Sequence, residues 1–181
     1  GESIMKKLLL LAIVLMMVVA VFADVTIGTG QELLVWPISN INDYVRSVSL
    51  FTAAEINAAG TITDLMWNCV YTSPTSFPIK INLKHTTATT LGQDYWDLHL
   101  YGSTPVFEAT LAVDTPGWFN FDITDFAYNG TDNLLVITQS GPATFDYSGQ
   151  PIMWWNTPTD PTMFIAARAD YLPPPLVPQN R

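Results

Sequence analysis

Asp94 and Asp97, and again Asp122 and Asp125, form carboxylate pairs three residues apart, the side-chain type that a glycoside hydrolase uses as acid and nucleophile. His85 and His99 are the only histidines, and folding could bring either to a zinc site or a Ser-His-Asp triad. No His-Glu-x-x-His helix and no Gly-x-Ser-x-Gly elbow occurs. The surroundings of these groups favour structural roles. Each Asp pair falls where a strand is expected to end, where Asp satisfies nearby backbone N–H groups. His85 precedes Thr86-Thr87 at a strand end, where a structural hydrogen bond is the plainer account, and His99 reads as a surface residue. The aromatic residues are the stronger candidates. Trp154 and Trp155 are adjacent, so in a strand one faces the core and the other the opposite surface. An exposed Trp is a stacking platform for a sugar ring, and Trp96, beside Tyr95, poses the same question. Trp96, Trp154 and Trp155 are therefore the candidate ligand-binding residues, set against the alternative that they pack beneath proline-rich loops.

Charge narrows the ligand classes. Lys6 and Lys7 precede an unbroken apolar run over residues 8–22, which ends with Ala23 before Asp24. This is the layout of a cleavable export signal, shorter than the roughly 18 residues that span a bilayer. We expect residues 1–23 to be removed and residues 24–181 to form one β-sandwich domain, with no membrane span after cleavage. Cleavage would take two of the seven bases and one of the sixteen acids, leaving a formal charge of about −10. Nucleic acid is excluded as a partner, because phosphate backbones require clustered Lys and Arg. Ca2+ stays open as a cofactor, since a sandwich can gather scattered oxygens without a local motif. Cys69 is the only cysteine, so no intramolecular disulfide can form. It alternates with Leu65, Trp67 and Tyr71 and reads as a buried structural thiol.

Two-residue alternation dominates after Ala23. Ile79, Ile81, Leu83 and His85 alternate with Lys80, Asn82 and Lys84, which predicts a half-buried strand with a wet, basic outer face. Phe107, Ala109, Leu111 and Val113 form a second strand, and Phe119, Phe121 and Ile123 a third. Asp114-Thr115-Pro116-Gly117 joins these two as a turn. Residues 134–138 read as a short continuous apolar strand, approached through an Asn129-Gly130 turn signal. Asn129-Gly130-Thr131 also matches a glycosylation triplet, but turn chemistry already accounts for it. A single helical turn is expected over residues 52–57, closed by Gly60. Prolines become dense from Pro142 onward, which limits the central strands available there. The pattern is that of an all-β, jelly-roll-like sandwich.

Four blocks add a resemblance: Thr26-Ile27-Gly28-Thr29-Gly30; Thr52-Ala53-Ala54-Glu55-Ile56 with Gly60-Thr61-Ile62-Thr63; Leu83-Lys84-His85-Thr86-Thr87; and residues 126–136, from Phe126 through Tyr128-Asn129-Gly130 to Val136. In this order they resemble a β-sandwich module of large secreted surface proteins from Bacteroidetes-type bacteria. Similar modules lie near cleaved-adhesin domains and beside fibronectin type III repeats. The resemblance implies a non-catalytic extracellular adhesion or binding module, sometimes carrying calcium, with an extracellular glycan or protein and neighbouring domains of a longer chain as partners. The alternative is a carbohydrate-binding module attached to a secreted hydrolase. Such modules continue into a closing strand, whereas this sequence stops at Pro178-Gln179-Asn180-Arg181, so a strand is expected to lie beyond it.

Overall fold

Strands dominate because β-branched and aromatic residues recur at two-residue spacing, and among the described residues nine strands assemble into two antiparallel sheets. The computed structural model describes residues 24–92, 103–143, 152–156 and 163–170. Sheet A has the order β1 (Glu32–Leu34), β8 (Met153–Asn156), β3 (Gly60–Tyr71), β6 (Gly117–Tyr128). Sheet B has the order β5 (Pro105–Val113), β4 (Ser73–Thr86), β7 (Asn133–Ser140), β2 (Tyr44–Phe51), β9 (Phe164–Ala169). Consecutive strands lie in opposite sheets at every step except β4 to β5. The chain therefore laces the two layers together, as expected for a jelly-roll-like sandwich.

The core between the sheets is apolar at one end. Phe77, Ile79, Ile81 and Leu83 of β4 and Leu134 and Val136 of β7 meet Phe121, Ile123 and Tyr128 of β6. Phe121 packs edge-on against Phe107 (5.2 Å between centroids) and Trp67 (5.5 Å), an arrangement that sets ring edges against π faces. The other end is built differently. Residues 37–40 run buried between the layers, with Ile38 and Ser39 wholly inaccessible, and their backbone needs partners that an apolar core cannot supply. Side chains provide them. The Ser47 and Thr138 hydroxyls, 2.7 Å apart, both reach the Pro37 carbonyl oxygen, at 3.2 and 2.7 Å. Ser140 Oγ donates to the Ser39 carbonyl at 2.8 Å. Trp154 Nε1 donates to the Ile38 carbonyl at 2.7 Å from the opposite sheet. Asn40 donates to Ser73 Oγ and accepts from the Ile152 N–H.

Several sequence expectations shift in detail. The helical turn is α1 (Ala53–Ile56), capped reciprocally: Thr52 Oγ1 accepts from the Glu55 N–H, and Glu55 Oε2 accepts from the Thr52 N–H. Asn57, left-handed at φ 46°, ends it rather than Gly60. The strand expected over residues 119–123 runs on to Tyr128, so Asp122 sits mid-strand rather than at an end. Tyr71 leaves the face shared by Leu65, Trp67 and Cys69 and is 44% exposed, because the pairing of β3 with β8 slips between Cys69 and Tyr71. The proline-rich end supplies one interior strand after all, since β8 fits between Pro151 and Pro158 and contains no proline itself.

The basic face expected on β4 is not open to water throughout. Asn82 is buried and donates to Ser103 Oγ at 3.2 Å. Beside it, Val48, Leu50, Leu135 and Ile137 form a second apolar cluster with Leu91, against which Met163, Ile165 and Ala167 pack. Strands β2 and β7 are thus buried on both faces, which explains why residues 134–138 read as continuously apolar.

Candidate ligand-binding face

Sheet A turns its outer face to solvent. Along β6 the inward residues Phe119, Phe121 and Ile123 leave Trp118, Asn120 and Asp122 outward; along β3 the outward residues are Asp64, Met66 and Asn68. Register pairs them directly across the two strands: Asn68 with Trp118, Met66 with Asn120, Asp64 with Asp122. Trp118 is 61% exposed and Met66 46%. On the far side of β3, Trp154 pairs with Cys69, so the next residue along β8, Trp155, lies level with Asn68 on the outer face, and Leu33 of β1 pairs with Trp155. The result is a lateral row of Leu33, Trp155, Asn68 and Trp118 across four strands. With strands about 4.8 Å apart, the two Trp backbones stand roughly 10 Å apart.

The three Trp residues singled out in the sequence have different fates. Trp154 is fully buried, packed edge-on against Trp67 and Phe119 (6.5 Å each), and has no face left for a ligand. Trp155 points outward and is half-buried. Trp96, with Tyr95, Asp94, Asp97 and His99, lies outside the described residues. Trp118 was missed, although its signal was present: the alternation that sets Phe119 and Phe121 inward also sets Trp118 outward.

The carboxylates are exposed on this open face. Asp64 accepts hydrogen bonds from Asn120 Nδ2 (2.8 Å) and Thr63 Oγ1 (2.7 Å), which hold its carboxyl below the usual carboxylate range. Asp122 stands opposite it. Asp125 is exposed within a bulge, where β3 advances from Ile62 to Asp64 while β6 covers Phe126 to Asp122. Among the described residues no group of three or more His, Cys, Asp or Glu side chains is arranged to hold a metal ion.

Among the described residues, His85, Asn129 and Cys69 are held in structural contacts. His85 Nε2 accepts the Asn129 N–H at 3.2 Å, and its ring stacks on Tyr128 at 5.7 Å. Asn129 Oδ1 accepts from the N–H groups of Thr131 and Asp132, and its Nδ2 donates to Asp132, so this side chain is committed to the turn. Cys69 is buried, donates to the Tyr71 carbonyl, and burial pushes its thiol up to about 11.

No protein-family model matches the chain, and no curated protein matches it. Among solved structures it is similar to the cysteine protease and lectin-like domains of Cwp84, a surface layer associated protein of Clostridium difficile, with 7% identity and a TM-score of 0.45. That match covers 70% of this chain and 27% of the other. No described helix is long and apolar enough to cross a membrane.

The chemistry of the face follows from its own side chains. The indole of Trp118 offers a flat π surface that attracts the C–H groups of a sugar ring, and Asn68 and Asn120 beside it supply amide donors and acceptors. An exposed sheet face that presents side chains from neighbouring strands suits an extended ligand lying across it.

Proposed function

We propose that this chain is an exported, non-catalytic binding module that holds a polysaccharide on the outer face of sheet A, at the cell surface or outside the cell, as one part of a longer chain. The observation that carries this reading is the lateral row in which exposed Trp118 and half-buried Trp155 flank Asn68 on the outer face. Export rests on the leader pattern of residues 1–23, which lie outside the described residues. Service to an attached hydrolase fits the same row.

A protein partner is the second reading, and exposed Met66 favours it, because a flexible thioether adapts to varied surfaces. Retention of the purified chain on insoluble polysaccharide columns separates the two. The polysaccharide reading expects Trp118→Ala and Trp155→Ala to elute in the void while melting near the parent temperature. Unchanged retention of both variants, or no retention of the parent on any column, would transfer the face to a protein partner.

A further inference from the structure

The charged residues of the strands are sorted by sheet. Sheet A carries Glu32, Asp64, Asp122 and Asp125 and no Lys, Arg or His; sheet B carries Arg46, Lys80, Lys84 and Arg168 against a single acid, Glu108, which pairs with Lys80 at 3.0 Å. Among the described strand residues, a ligand on the outer face of sheet A therefore meets one sign of charge. On that face Asp64 and Asp122 are directly opposed across β3 and β6, a like-charge pairing that is unfavourable in a bare sheet. They lie four residues along β6 from Trp118, roughly 14 Å away at strand rise, within reach of the same extended chain.

We propose that the outer face of sheet A selects a polysaccharide bearing free amino groups, with Trp118 and Trp155 stacking sugar rings and Asp64 and Asp122 receiving the ammonium groups. This inference rests on the polysaccharide reading above and adds its specificity. A ligand cation between Asp64 and Asp122 offsets their mutual repulsion, and the Asn120 and Thr63 donors keep Asp64 ionised under the mildly acidic conditions in which sugar amines are protonated. Uronate and sulfated chains are repelled by the same carboxylates. The span from Trp118 to the carboxylate pair calls for an oligomer, so a single amino sugar is a poor competitor.

The test compares retention of the full chain on β-linked polyglucosamine, on its N-acetylated form, on cellulose and on a polyuronate. The expected result is strongest retention on the free amine, little on the polyuronate, and loss of the preference in about 1 M salt, where the screening length falls to about 3 Å. Asp122→Asn combined with Asp64→Asn should weaken retention on the amine about three- to tenfold, the scale of two exposed ion pairs, and leave the N-acetylated column unchanged. Equal retention on the free and acetylated polymers, unmoved by the Asp changes but abolished by Trp118→Ala, overturns the amine selectivity and leaves the polysaccharide reading standing. Retention unmoved by Trp118→Ala on every column overturns both.

Discussion

The outer faces of the two sheets both carry large apolar side chains, and these end in opposite states. On sheet B, Val48, Leu50, Leu135 and Ile137 are buried in a cluster with Leu91, against which Met163, Ile165 and Ala167 pack, so large apolar side chains there contribute to stability. On sheet A, Trp118 and Met66 stand open beside Asn68, Asn120 and the acids, so large apolar side chains there contribute little to holding the fold together. Trp154 and Trp155 show the same division within one dipeptide: one ring is locked in the core and the other turns to the open face. An apolar residue thus reveals its role only when its face, and what covers that face, are known.

The largest stability effect should come from Trp154. Its replacement by Ala removes a buried ring and the donor to the Ile38 carbonyl, with an expected loss of about 3 to 5 kcal/mol in urea unfolding. A loss below about 1 kcal/mol would mean that the two Trp residues are not divided as described. Gly141→Ala should rank next. Gly141 has φ 113°, and a Cβ there would press on the Asp43 carbonyl, so about 1 to 3 kcal/mol of backbone strain is expected, read as a lower melting temperature. Thr138→Val keeps the shape of the side chain and removes one hydroxyl from the Pro37 carbonyl, for an expected loss of about 1 to 2 kcal/mol.

A subtler effect should separate the buried thiol by pH. The folded Cys69 thiol has its pKa raised from 9.0 to about 11 by burial, so the unfolded chain releases its proton first. The stability held below pH 9 should decline as pH rises from 9 towards 11. Denaturation midpoints across that range should fall more steeply for the parent than for Cys69→Ala, and parallel curves would show that burial does not govern this thiol.

Much of the fold was legible because inward and outward residues alternate along β3 to β6. Strand β2 was not, since Ser47 and Ser49 occupy core-side positions and Arg46 is buried beside Gln139, to which it donates, which erases the alternation. The reason is the buried segment 37–40: the hydroxyls of Ser47, Thr138 and Ser140 are placed inward to satisfy its carbonyls, and no local pattern announces that a loop will cross a core. That one of Trp154 and Trp155 turns outward followed from parity, but which one was decided by the pairing of Trp154 with Cys69. The juxtaposition of Trp118 with Asn68, and of Asp64 with Asp122, depends on strand register and on the bulge before Phe126, which sequence spacing does not encode.

The smallest stability effect carries the most functional weight. Trp118→Ala should change the unfolding free energy by no more than about 0.5 kcal/mol, because the ring is largely exposed. The most direct measurement is therefore retention of this variant beside the parent on insoluble polyglucosamine, with melting curves for both. The account predicts that the parent is held, that Trp118→Ala passes through, and that the two melt together. Equal retention of parent and variant would contradict it and remove the open face of sheet A as the binding surface.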